Sequence, residues 1–249
     1  MGIEQLKAAY ESTKHMAGGK HGPKSFSHMV TRCRELVHGI YLDGTEVLEV
    51  GAGGGFLSNY LAECLPVRSV VALDEYAGHG SPVATGEMIA AMQSALNNAE
   101  RLSIVRKDFI QYEPGPRYDR VICVNVLHHI INFRVKEHGG TRQDEAEAVL
   151  RHAARCLKPG GMVVIQELSN RNWCFLPGYR SGMSHVNWES KLSPADWREA
   201  LVRAGFDNVD VRYRLPLNLP RWNWLRPLFN NEFASLLMDS SFVVTARFV

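Results

Sequence analysis

The chain has no apolar run approaching the roughly 20 residues of a membrane span; its apolar stretches break off after a few positions. Cysteine offers no framework either. The five residues Cys33, Cys64, Cys123, Cys156 and Cys174 are scattered, odd in number and without a C-x-x-C pair. That excludes a disulfide scaffold and the common zinc spacings, and it reads as reduced thiols. The opening MGIEQLKAAYESTK is charged and amphipathic and lacks an apolar signal core, so no secretory signal is expected and a cytoplasmic location is. Neither sign of charge dominates: 28 basic against 26 acidic residues leave +2, too weak a bias to argue for nucleic acid. No internal repeat or low-complexity tract stands out. What remains is 249 residues, 45% hydrophobic and 22% charged, enough for an ordinary buried core.

Strands and helices alternate along the chain. Residues 3–16 and 25–40 read as two helices, joined by the glycine-rich linker 17–23, which would serve as a hinge. Strands follow at 46–50, 69–73, 101–106 and 118–125, with helices at 55–64 and 84–98 between them. A loop with Gly139-Gly140 leads to a helix at 143–157, closed by Lys158-Pro159-Gly160-Gly161 before a fifth strand at 162–166. Ser193-Pro194-Ala195-Asp196 caps a helix that runs to Arg203 and stops at Gly205. Strands at 209–213 and 242–248 close the pattern, the last expected to run antiparallel at the sheet end. This alternation predicts an α/β fold, a mainly parallel sheet with helices on both faces.

The stretch EVLEVGAGGGFL, residues 46–57, joins a strand, a glycine turn and a helix start, the geometry of a nucleotide-binding crossover. The dinucleotide fingerprint needs its third glycine three residues after the second, where Phe56 stands here; Gly55 comes one residue early. No Lys-Ser or Lys-Thr follows, so a P-loop is excluded. Asp74 ends the second strand, where a carboxylate can accept both ribose hydroxyls. Asp108 and Phe109 end the third, suited to an adenine amino group and ring. Glu49 would repel a phosphate and welcome a cationic amine. The ligand therefore reads as an adenosine that carries a positive group in place of phosphates.

The ordered stretches VLEVGAGGGF, VVALDE, IVRKDF, YDRVICVNVLHHI and LKPGGMVVIQE resemble the successive motifs of class I S-adenosylmethionine-dependent methyltransferases. The resemblance spans about residues 45–167. It implies a Rossmann-like seven-stranded, mainly parallel sheet whose last strand is antiparallel. It implies S-adenosyl-L-methionine as cofactor and S-adenosyl-L-homocysteine as product. Gly51, Ala52, Gly53 and Gly55 would lie under the methionine portion and Glu49 near its amino group. Asp74 and Glu75 would serve the ribose, Asp108 and Phe109 the adenine, and Asn125 and Leu127 the sulfonium side. The whole chain, 1–249, is expected to be one methyltransferase domain. It would comprise an N-terminal helical cap (1–40), a cofactor core (45–167), and substrate-side loops with a lid insertion and the last strands (168–249).

Methyl transfer from a sulfonium needs alignment and, for some acceptors, a base; no metal is expected. His128 and His129 follow the fourth strand and are the catalytic candidates, since imidazole titrates near neutrality; packing is their alternative role. No Pro-Pro-aromatic motif and no Pro-Cys follows that strand, which disfavours nucleobase amines and pyrimidine carbons. The acceptor is expected to be a small molecule, apolar or aromatic, methylated on oxygen or nitrogen, with carbon possible; no nucleic acid partner is expected. Its contacts are sought among Tyr10, His28, Tyr179, Arg180, His185 and Trp222, although such aromatics also serve simply to pack a lid. Three other readings stay open at this point: a nicotinamide oxidoreductase, a catalytically silent scaffold, and a macromolecular or lipid-directed methyltransferase docking through PRWNWLRPLF.

Overall fold

A computed structural model describes residues 2–16, 24–76, 84–114, 118–171, 187–213, 231–237 and 241–249. Seven strands form one sheet in the order β3-β2-β1-β4-β5-β7-β6, the α/β fold expected of the class I methyltransferases. The strands are β1 (Glu46–Val50), β2 (Ser69–Asp74), β3 (Leu102–Arg106), β4 (Tyr118–Val124), β5 (Leu157–Leu168), β6 (Phe206–Tyr213) and β7 (Ser241–Phe248). The chain divides into two compact units: 1–124 with 155–161, and 125–154 with 162–249.

In the first unit β1 pairs in parallel with β2 and with β4, and β2 with β3. Val47, Leu48 and Val50 are buried on a strand covered on both sides, hence apolar residues on both faces with only Glu49 between them. Helices α1 (Gly2–Thr13), α2 (Phe26–Val37), α3 (Phe56–Cys64) and α4 (Ala84–Leu96) belong to this unit. The first ends at Thr13 and tightens into a 3-10 turn, Lys14–Met16, short of the single helix expected to 16. Ser25 caps α2 by accepting the His28 N–H at 3.3 Å.

The second unit holds α5 (Leu127–His138), α6 (Arg142–Cys156), α7 (Pro194–Arg203) and α8 (Glu232–Leu237), α6 reaching its last residues in the first unit. Ser193 and Asp196 form the reciprocal cap of α7, as their spacing predicts. The helix α5 was not anticipated. Its sequence, LHHIINFRVKEH, mixes β-branched and polar residues without a clear apolar stripe, and Gly139 ends it in the left-handed conformation at φ 72°. Two expectations are corrected. Lys158 to Gly161 do not separate helix from strand but open β5, which runs from Leu157. The last strand is antiparallel, but not at the sheet end: β7 pairs with both β5 and β6, and β6 takes the edge.

Candidate functional site

In the first unit, β1 delivers the chain into a loop that only glycine tolerates. Gly51, Gly53 and Gly55 have φ of 72°, 51° and 73°, a region closed to most side chains. At Gly55 a Cβ would also collide with the Ile89 side chain on α4. The Gly51 and Ala52 N–H groups donate to the Leu73 carbonyl at 2.8 and 3.2 Å, which ties the loop to the end of β2. Gly55 leads α3 with no side-chain cap, so the first turn of that helix keeps its partial positive charge for a ligand.

Two of the carboxylates expected around this loop, Glu49 and Asp74, lie close enough for their charges to interact. Asp74, buried at the end of β2, accepts the Gly53 N–H through Oδ2 and the Tyr76 N–H through Oδ1, both at 2.9 Å. It thus shapes the loop. Glu49 is buried and accepts from the Ser58 hydroxyl on α3. Burial pushes the Glu49 carboxyl up to about 8; the Ser58 hydrogen bond opposes this and the Asp74 charge adds to it. Such a group is at rest as a neutral acid, or as a carboxylate only against a cation. The methionine ammonium implied by the resemblance would be such a cation, so the residues present fit the cofactor. Glu75 is half-buried beside Asp74. Asp108 follows β3 and accepts the Ile110 N–H at 2.6 Å, with Phe109 buried next to it.

Tyr10 and His28, sought as acceptor contacts, sit on α1 and α2. The Tyr10 ring packs edge-on against Phe56 at 4.9 Å and near Phe26 at 6.1 Å, and its hydroxyl donates to the Lys24 carbonyl at 2.6 Å. It therefore braces α1 against the start of α3. His28 is half-buried in the first turn of α2.

In the second unit Asn125 holds φ 52°, which asparagine tolerates, and donates its N–H to the Gln166 carbonyl at 2.8 Å. Leu127 is buried at the start of α5. Next to it His128 meets a partner the sequence reading missed. Glu167, near the end of β5, lies 2.8 and 3.0 Å from His128 Nδ1 through its two oxygens and accepts the His128 N–H at 3.3 Å. A carboxylate only accepts, so Nδ1 is the nitrogen that carries a proton towards it, and in the neutral ring Nε2 is then the acceptor. The buried Lys191 ammonium stands 3.9 Å from Glu167 Oε2. The His129 ring lies 4.0 Å from that of His128, centre to centre. Burial, then the His128 and Lys191 charges, lower His129 to about 4 against the pull of Glu167, so it stays neutral at physiological pH. His128 and His129 are thus not equivalent: one is oriented by a carboxylate, the other is held uncharged. The signal for Glu167 was its place, a carboxylate near the carboxyl end of a strand, where α/β sheets bind ligands. Nothing local marked Lys191.

Among the described residues no group of three His, Cys, Asp or Glu side chains is arranged to hold a metal ion, and no helix is long and apolar enough to cross a membrane. Tyr179, Arg180, His185, Trp222 and the PRWNWLRPLF stretch lie outside the described residues, as does the 17–23 linker.

Residues 21–211 match the family model described as a methyltransferase domain. Among curated proteins the chain is 28% identical over 174 residues to highly reducing polyketide synthase 40 of Fusarium mangiferae, covering 66% of this chain and 6% of that protein. The chain thus spans a small part of that relative's length. Among solved structures it resembles phosphoethanolamine N-methyltransferase 2 of Haemonchus contortus, in complex with phosphomonomethylethanolamine and S-adenosylhomocysteine. That match has a TM-score of 0.59 and 17% identity, over 99% of this chain and 57% of the other. It also resembles the CurJ carbon methyltransferase, with a TM-score of 0.50 and 20% identity, over 85% of this chain and 50% of the other.

Proposed function

The chain belongs to the methyltransferase-domain family, and on that footing we propose that it methylates a small molecule that gives up a proton in the process. S-adenosyl-L-methionine is the cofactor; when bound it supplies a methyl group already activated on a sulfonium. Glu49 and the loop of Gly51, Ala52, Gly53 and Gly55 would hold its methionine end, Asp74 and Glu75 its ribose, and Asp108 and Phe109 its adenine. Asn125 and Leu127 would border the sulfonium. The chain's own task is to bind, align and take up one proton.

The observation that carries this reading is His128 held by Glu167 at 2.8 and 3.0 Å. The carboxylate fixes the tautomer that leaves Nε2 basic, and it stabilises the imidazolium that forms when a proton arrives. A neutral amine already has its lone pair and needs no base before attack. A hydroxyl, or a carbon between carbonyls, does. The built base therefore favours an oxygen or carbon acceptor over nitrogen. The relative named a polyketide synthase and the neighbour named a carbon methyltransferase support carbon.

The test offers the enzyme methyl-labelled cofactor with an acetoacetyl thioester, a catechol and phosphoethanolamine, and locates the label by mass spectrometry. Label is expected on the thioester's central carbon or the catechol oxygen, and only with His128 intact. Label on the amine alone, at a rate untouched by His128→Ala, would overturn the reading.

A further inference from the structure

We propose that Lys191 is a positioning residue of the His128–Glu167 pair: its buried ammonium, 3.9 Å from Glu167 Oε2, shares that carboxylate with His128 and offsets the negative charge that would otherwise hold a proton on the imidazole. The inference rests on His128 as the base and deepens that reading by naming what keeps the base free to accept.

Lysine is almost never buried unless paired, yet Lys191 is 6% exposed and faces Glu167, itself 2% exposed at the side chain. Its backbone is pinned on both sides. The Lys191 N–H donates to the Trp188 carbonyl at 3.0 Å, ending a 3-10 helix, and Ser193 two residues on starts the reciprocal cap of α7. The ammonium is therefore placed by the fold rather than by a wandering side chain.

The charges that meet here come from three elements. Glu167 comes from β5, His128 and His129 from α5, and Lys191 from the end of the 3-10 helix. With Glu167 ionised and Lys191 protonated, the four sum to zero while both imidazoles are neutral. An unshared buried carboxylate would favour imidazolium strongly, and a base that is already protonated accepts nothing. Burial lowers Lys191 to about 8, with Glu167 opposing the shift, so the ammonium persists at neutral pH and is given up in mild alkali.

The measurement follows imidazole nitrogens by NMR during pH titration of the full chain labelled at histidine. Removal of the cation in Lys191→Met makes protonation of the His128–His129 pair easier, so the pair should take up its proton at a pH higher by roughly half to one unit. Lys191→Arg keeps the charge and should titrate as the unaltered protein. In the unaltered protein the His128 signal should show an inflection around pH 8 as Lys191 loses its proton. Equal titration of Lys191→Met and unaltered protein would overturn the proposal, and so would an Arg variant shifted as far as the Met variant. Should the Met variant not fold, absence of the inflection in the unaltered protein overturns it alone. A protein that shows these shifts yet transfers no methyl group through His128 would retire the base assignment and leave the coupling standing.

Discussion

The two units carry their chemistry in different materials. The cradle of the first is made largely of backbone: a glycine loop at positive φ, a bare helix start, and Asp74 bonded to two main-chain N–H groups. The cluster of the second is made of side chains from positions 128, 129, 167 and 191, which only the fold unites. The difference teaches which part of such an enzyme tolerates change. A backbone cradle breaks when a side chain intrudes; a side-chain cluster breaks when one is removed.

The largest effect separates the two regions outright. His128→Ala should lower methyl transfer about 10²–10⁴-fold, the usual worth of a general base, while cofactor affinity holds. Equal loss of both in calorimetry and turnover would mean that the cluster also holds the cofactor. Next comes Gly55→Val, which forces a β-branched residue to φ 73° and into Ile89. Strain and overpacking together should cost roughly 2–5 kcal/mol, read as a lower denaturant midpoint and lost cofactor binding. A variant that folds and binds normally would reduce the loop to a turn. Asp74→Ala should weaken cofactor binding by about 1–3 kcal/mol, since it strips an acceptor from ribose and loosens Gly53. Unchanged affinity with the fold intact would remove Asp74 from the site.

The sequence declared these two regions unequally. The cradle was legible because its determinants are local. A turn at positive φ demands glycine, and Glu49, Asp74 and Asp108 each sit within two residues of a strand's end. The strand β1 was read to the residue for the same reason. Of the cluster only His128 and His129 were visible, as neighbours in one stretch; Glu167 is 39 residues away and Lys191 a further 24. No local pattern encodes that meeting, which depends on the pairing of whole strands. The helix α5 was missed because its apolar residues do not keep a helical period, and the edge place of β6 because strand order is a property of the sheet.

A further set of effects concerns the proton on Glu49. Its value in the fold, about 8, lies above the ordinary 4.5. In that window the folded chain binds more protons than the unfolded one, so stability without cofactor should decline as pH rises from about 4.5 to about 8. Glu49→Gln should flatten that slope in thermal melts across pH. Ser58→Ala removes the hydroxyl that favours the ionised form and should carry the decline on to higher pH. A slope indifferent to both changes would deny that Glu49 is buried as an acid.

The most direct measurement is calorimetric titration of S-adenosyl-L-methionine at pH 7 in buffers of different ionisation enthalpy. If the buried Glu49 acid gives up its proton to pair with the cofactor's ammonium, binding in the unaltered protein releases up to about one proton per cofactor. That release should vanish in Glu49→Gln and persist when His128→Ala and Glu167→Gln are combined. Absence of binding, or proton release that survives Glu49→Gln and disappears with the His128 and Glu167 substitutions, would contradict the division between cradle and base.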